Sequence, residues 1–364
     1  MNKRDIGLLL GLILLLLGGC QAASEGGSET DATTEPTAAT NATTDSVAEA
    51  ALPTAEGEHF ENAVIRRDFP DPGIIRVGDT YYAYSTNAAS RNVPLATSTD
   101  LVNWDYQADA MPSLPSWAQL GGSYVWAPEV IEIDGRYHLY YTARDKAADK
   151  QCIGLAISDK PEGKFKDTRD TAFVCQVEEG GSIDASPFRD ADGTLYLYWK
   201  NDGNCCNMAT HIYVQEMSPD GLSLVGEPTR LVRNDRAWEG RVVEAPTMWL
   251  EDGRYTLFFS ANDYGGLDYA VGYARCESAV GPCEDGTENP VLSSVVDGSV
   301  PVIGPGHQTI ILDDDGEPWM AYHAWQVTSA GMRGTARFMW LDRLTWEGDV
   351  PRVLGPTTEP QPVP

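Results

Sequence analysis

Positive charge is what this sequence has least of. Its 364 residues carry 26 Lys and Arg against 54 Asp and Glu, a formal charge of −28. Such a field repels phosphate backbones and other polyanions, so nucleic acid and anionic partners are excluded, whereas a neutral polymer is compatible. A membrane span is missing as well. The apolar run from Ile6 to Leu17 is shorter than the roughly 20 residues that a bilayer-crossing helix needs. Helical periodicity is scarce after about residue 59. The cysteines lack the spacing of a zinc site. Residues 21–58 are nearly free of aromatics and rich in Ala, Thr, Ser, Glu and Gly. Such a segment cannot bury enough apolar surface to offset its ordering entropy, so it is expected to be a disordered tether.

The N-terminus reads as a targeting segment. Lys3 and Arg4 precede the apolar run, which ends in Leu17-Gly18-Gly19-Cys20. A charged start, a short apolar stretch and small residues are the parts of a signal peptide. The last four residues resemble the lipobox of bacterial lipoproteins. The resemblance implies a signal peptide over 1–19, acylation of Cys20, and an exported protein at the cell surface or in the periplasm, held to the membrane only through that lipid. The other six cysteines, Cys152, Cys175, Cys205, Cys206, Cys276 and Cys283, form an even set, which in an exported protein suggests disulfides. Cys276 and Cys283 flank a short Gly-Pro loop and are the best local pair; the remaining connectivity stays open.

What the chain has in abundance is one repeated pattern, a glycine turn followed by an aromatic strand. It recurs at Gly78, Gly135, Gly193, Gly253 and Gly316, spaced 57, 58, 60 and 63 residues apart. Asp-Gly or Gly-Asp between alternating strands is a hairpin signal. Five units of about 60 residues, each long enough for four strands, account for residues 59–357 as an all-β, five-bladed β-propeller. Residues 358–364 are left as a tail. The competing all-β arrangement, a double sandwich, offers no reason for five equal units.

Polar residues entering the innermost strands of a propeller converge on its axis. Upstream of the five glycines stand Asp71, Trp126, Asp184, Glu244 and His307, and the last three each lie nine residues before their glycine. Three carboxylates brought to one axis suggest glycoside hydrolysis, which needs an acid for the leaving oxygen and a base or nucleophile for the opposite face of the sugar. A third carboxylate can tune and orient the acid. Trp126 offers a flat face for a sugar ring. Asp68 falls outside this register and reads as a loop acid.

At these residues the chain resembles glycoside hydrolase family 43, over about residues 63–354. Family members are five-bladed propellers and inverting enzymes. Pro70-Asp71-Pro72 matches the first-blade motif, which implies Asp71 as general base. Ile183-Asp184-Ala185-Ser186 matches the third-blade motif, which implies Asp184 as the residue that modulates the acid's pKa and orients it. Glu244-Ala245-Pro246 matches the fourth-blade motif, which implies Glu244 as general acid. Gly304-Pro305-Gly306-His307 is a further family feature, and its His lies in many members near an ion or water in the central channel. The resemblance therefore implies no cofactor for the chemistry, but allows a structural calcium near His307. Arg337 resembles a family arginine that contacts the sugar. Two departures stand out. Gly73 follows the first motif where many members carry a side chain, and Glu239 in Trp238-Glu239-Gly240 is a rival acid. Members cleave arabinofuranosides, arabinan or β-xylosides. Trp126 to Val130 and Tyr322 to Trp325 look more like the arabinan-active ones, so plant cell-wall polysaccharide or oligosaccharide is the expected partner. A glycan-binding surface lipoprotein without catalysis is the alternative of a different class.

Overall fold

The computed structural model describes residues 58–121, 124–286, 289–297 and 300–364. The signal peptide, Cys20 and nearly all of the tether expected from the sequence lie outside the described residues.

Five antiparallel sheets follow one another along the chain, each a simple meander. Blade I comprises Gly73–Val77, Thr80–Tyr84, Leu95–Ser98 and Asp105–Tyr106. Blade II comprises Trp126–Ile133, Arg136–Asp145 and Lys150–Ser158. Blade III comprises Ser182–Arg189, Leu195–Asn201, His211–Met217 and Leu224–Arg233. Blade IV comprises Val243–Glu251, Arg254–Ala261, Ala270–Cys276 and Cys283–Asp285. Blade V comprises Ile303–Leu312, Pro318–Val327, Arg333–Glu347 and Val350–Val353. The five-bladed propeller is therefore the observed fold, and the helical segments among the described residues are three short 3-10 turns. Blade II departs from the four-strand expectation. In place of a fourth strand, its outer edge carries isolated bridges from Gln151 to Gly181, Ile153 to Val174 and Ile157 to Lys166.

The strand after each turn glycine is mostly aromatic and apolar in its middle because both of its faces are buried there. Successive side chains in a strand point to opposite faces. Tyr82 and Tyr84 pack toward blade II with Leu139 and Tyr141, while Tyr81 and Ala83 pack toward blade V with Trp319 and Ala321. Tyr140 turns to blade III, where Leu197 and Trp199 meet it. Tyr198 meets Leu257 and Phe259 of blade IV, and Phe258 meets Met320 and Tyr322 of blade V. Five clusters thus seal the five blade boundaries. Burying one such side chain is worth about 1.5–3 kcal/mol. The five turn glycines all have positive φ, from 60 to 91°, which a residue without Cβ adopts at least cost.

Gln361–Pro362, expected to lie in a tail, pairs instead with His59–Phe60. Asn62 reinforces this closure. Its Oδ1 accepts the Leu341 N–H and its Nδ2 donates to the Leu341 carbonyl, both at 2.9 Å. A propeller's ring must be closed by joining its ends, so the last residues belong to the fold.

Candidate active site

Each innermost strand carries, within its first half or just before its start, one non-glycine residue in the left-handed region. These are Asp71, Ala127, Asp184, Ala245 and His307, with φ between 46 and 57°. In blades II to V the pairing register slips at this point. A bulge of this kind re-aims side chains. The equivalence based on nine-residue offsets is corrected here. Asp71, Asp184 and His307 are the left-handed residues themselves, while Trp126 and Glu244 immediately precede theirs. One of each pair reaches the axis from every blade.

A cavity of about 450 Å3 is lined by Asp71, Trp126, Asp184, Glu244, His307 and Arg337 together. A larger one, about 630 Å3, lies at the edge of blade II among Arg136, Lys160, Lys164 and Lys166, far from any carboxylate pair.

Asp71 is held from all sides. Arg337 Nη1 lies 2.8 Å from Oδ1. His323 Nδ1 lies 3.1 Å and His307 Nδ1 3.4 Å from the same oxygen. Thr86 Oγ1 donates to Oδ2 at 2.5 Å. Burial by itself pushes the carboxyl up, but Arg337, His307 and His323 outweigh it and hold the group well below the usual carboxylate range. Asp71 is therefore an anion at neutral pH. His323 is driven by burial, then by Arg337, down to about 4, so its imidazole is neutral. Asp68, the loop acid, accepts the Arg337 N–H at 2.9 Å and fixes that strand beside Asp71.

Glu244 is bound at both oxygens. Lys200 Nζ donates to Oε2 at 3.1 Å, and Tyr269 Oη donates to Oε1 at 2.7 Å. The Lys200 side chain is 0 % exposed and that of Glu244 13 %. Asp184 accepts the Ala245 N–H at 3.0 Å, which fixes the backbone next to Glu244. Burial raises the Asp184 carboxyl to about 6. His307 and Lys200 oppose this, and the charges of Glu244 and Asp71 add to it.

Trp126 lines the same cavity. Its neighbour Glu129 faces Gly73, and this explains the glycine: a Cβ there would stand 2.3 Å from the Pro128 carbonyl and 3.0 Å from the Glu129 carboxyl. Burial pushes Glu129 up to about 8. Gly306 has a similar reason, since a Cβ would fall 2.2 Å from the Tyr269 ring. Glu239 does not reach the cavity. It is fully buried on its own 3-10 turn and accepts the N–H groups of Asp235 and Arg236, each at 2.8 Å. No group of three or more His, Cys, Asp or Glu among the described residues is arranged to hold a metal. His307 directs Nδ1 to Asp71 Oδ1 at 3.4 Å.

Lys200, Tyr269, His323 and Thr86 were not singled out in the sequence. For two of them a signal existed. Thr142, Lys200, Ser260 and His323 all stand seven residues after a turn glycine, in the second half of the second strand. Thr142 and Ser260 accept the N–H of the left-handed residue in the next blade, and His323 meets that of Asp71. A lysine in this series is the anomaly that points to Glu244.

The six cysteines pair as Cys152–Cys175, Cys205–Cys206 and Cys276–Cys283, the last as the sequence suggests.

The chain is similar to an extracellular endo-α-(1→5)-L-arabinanase of Thermotoga petrophila, with 31 % identity over 59 % of this chain and 50 % of that protein. It is similar to a β-xylosidase of Bacillus subtilis, with 27 % identity over 81 % of this chain and 56 % of that protein. The chain thus spans about half the length of these relatives. A solved structure described as a thermostable family-43 glycoside hydrolase superposes with a TM-score of 0.73 and 33 % identity, covering 84 % of this chain and 99 % of that one. The family described as glycosyl hydrolases family 43 matches residues 60–351, and the chain belongs to it.

Proposed function

We propose that this protein is an inverting glycoside hydrolase that cleaves α-L-arabinofuranosyl linkages in arabinan or arabinose-containing hemicellulose. The observation that carries this reading is the convergence of Asp71, Asp184 and Glu244, from three different blades, on one cavity. Asp71 is kept ionised and takes the proton of a water as its oxygen bonds to the anomeric carbon. Glu244 gives its proton to the glycosidic oxygen as that C–O bond breaks. Asp184 holds the Ala245 amide and sets the field beside Glu244. A protein that merely binds glycans gains nothing from three converging carboxylates, two of them buried, whose desolvation is costly.

The named arabinanase relative and the Trp126 to Val130 motif support the arabinosyl substrate. A β-xyloside substrate is the second reading, favoured by the longer stretch shared with the β-xylosidase. Comparing rates on nitrophenyl α-L-arabinofuranoside, linear arabinan and nitrophenyl β-xyloside decides between them, and a faster xyloside rate overturns the first. Proton NMR of the first-formed product should show inverted configuration. Glu244→Ala should lose far more rate on poor leaving groups than on activated aryl groups, because the latter need little protonation. Relatives named as extracellular and three disulfides support export, with Cys20 as a lipid anchor. Cys20→Ser should release the protein from the membrane fraction of its host.

A further inference from the structure

The cavity of about 630 Å3 at the edge of blade II has the size of a ligand pocket. Arg136, Lys160, Lys164, Lys166 and Arg169 line it, and Asp159 is the one acid among its lining residues. Asp159 is already committed, with Oδ1 3.1 Å from Arg136 Nε. Three of the chain's seven lysines are thus gathered in one hollow of a protein whose formal charge is −28.

Local sequence does not account for this gathering. Residues 159–170 hold four acids and four bases. All four bases line the hollow, whereas three of the acids turn elsewhere. Asp167 Oδ2 accepts from the Trp117 indole at 3.1 Å and from the Tyr141 hydroxyl at 2.8 Å. Glu162 lies beside Tyr82 of blade I. Asp170 Oδ1 accepts from Ser116 at 3.5 Å. Phe165, between Lys164 and Lys166, is fully buried and anchors the pair. The folded segment therefore sorts its charges by sign, and Arg169 Nε is left buried without an acceptor.

We infer that this hollow is a second glycan site, for a chain of sugar residues that carry carboxylate groups. The choice of a glycan among anions rests on the hydrolase reading above. No aromatic side chain lines the hollow, so a nucleobase finds nothing to stack on. The cations stand around a concavity and not on a protruding face, which a flat bilayer would not enter. Leu155, Ile157 and Leu222 supply apolar surface between the charges for sugar rings. The overall negative charge does not cancel the hollow, because at physiological salt a charge is screened beyond about 8 Å. The strand Trp126–Ile133 runs from the catalytic cavity to the turn before Arg136. At about 3.3 Å per residue the two sites lie roughly 20 Å apart, so a polymer held at one leaves the other free.

Calorimetric titration with linear trigalacturonate, its methyl ester and inorganic phosphate tests this. Trigalacturonate should bind and its uncharged ester should not. Phosphate should bind about 10-fold more weakly or worse, since a single ion engages fewer of the cations. Lys164→Ala/Lys166→Ala should weaken trigalacturonate binding about 3- to 30-fold, the loss of two exposed charge pairs. Its melting temperature and its kcat/KM on nitrophenyl glycosides should stay unchanged. Equal binding of the ester, phosphate as tight as trigalacturonate, or an unweakened double variant overturns the inference. An enzyme that cleaves arabinosides or xylosides but does not bind trigalacturonate overturns this site alone. A protein that binds trigalacturonate but cleaves no glycoside overturns the hydrolase reading and leaves the site standing.

Discussion

Replacing Arg337 by methionine should move the acidic limb of the pH–rate profile. Asp71 is buried, and burial alone would raise its carboxyl. Arg337 is the largest of the groups that reverse this, with Nη1 2.8 Å from Oδ1. Two unit charges about 4 Å apart interact by about 4 kcal/mol at an effective dielectric constant of about 20. One pKa unit corresponds to about 1.4 kcal/mol, so this is equivalent to about 3 units, the top of the range for an aspartate beside an arginine. In Arg337→Met the Asp71 carboxyl should therefore rise by about 1–3 units. His307, His323 and Thr86 remain and keep the shift from exceeding that. The base works only when ionised, so the acidic limb of kcat/KM should move to higher pH by the same amount.

Stability follows the same sign. The native Asp71 carboxyl sits below its unfolded value, so its contribution is present above that value and is lost as pH falls through the folded one. The variant should lose part of this at pH 7 and little at pH 3. Arg337 also lines the cavity, and its loss will raise KM whether or not it acts on Asp71. The pH limb separates the two effects. A raised KM with an unmoved acidic limb would falsify the claim that Arg337 keeps the base ionised.

Three further perturbations probe the same neighbourhood. Asp184→Asn keeps an acceptor for the Ala245 N–H but should lower kcat and remove an inflection near pH 6. Because the folded Asp184 carboxyl is raised to about 6, its stabilising contribution is lost as pH rises through that value, so the asparagine variant should melt a few degrees higher at pH 7.5; a lower melting temperature there would contradict it. Glu129→Gln should likewise raise the melting temperature, because the folded carboxyl is raised by burial to about 8 and its contribution is lost as pH rises from the unfolded value through the folded one; differential scanning should show little gain at pH 4, some at pH 6 and the largest at pH 9. Gly306→Ala should cost about 1–3 kcal/mol of stability through overpacking and lower kcat as the Tyr269 ring is pushed off Glu244; an alanine variant with wild-type kcat would show that the tyrosine contact is idle.

The fold was legible because its two determinants are local. A glycine turn at near-constant spacing and an aromatic strand after it are both written in consecutive residues. Five equal units then leave few other ways to bury both faces of those strands. The lack of a fourth strand in blade II was not legible, because that edge is filled by chain that makes only isolated bridges at Lys166, Val174 and Gly181 and carries no alternating pattern. Nor was the pairing of Gln361–Pro362, since its partner His59–Phe60 is 302 residues away and the contact exists only once the ring has closed. In the site, the acids were found because they track the repeat. Tyr269 was not, because it stands just before the third strand of blade IV, and its bond to Glu244 depends on how that strand is carried past the axis. Lys200 could have been found, being the one basic residue in a series of Thr142, Ser260 and His323.

That series explains how the propeller tolerates what sits at its axis. A non-glycine residue at positive φ costs on the order of 1 kcal/mol or more, and five recur in a ring. Each is secured by the blade before it. His323 of blade V meets Asp71, Thr86 of blade I accepts from Ala127, Thr142 of blade II accepts from Asp184, and Ser260 of blade IV accepts from His307. The one boundary that breaks the rule lies between blades III and IV. There Lys200 turns to Glu244, and the Ala245 N–H is taken by the Asp184 carboxylate. Replacing a neutral hydroxyl by a lysine and an aspartate at that single boundary puts a cation and two carboxylates where the other blades have one hydrogen bond. The departure from a single neutral hydrogen bond at this boundary thus falls beside Glu244, the residue proposed as the acid. The same substitution pattern ties the orientation of Glu244 to Asp184, so a change at either residue must be felt at both.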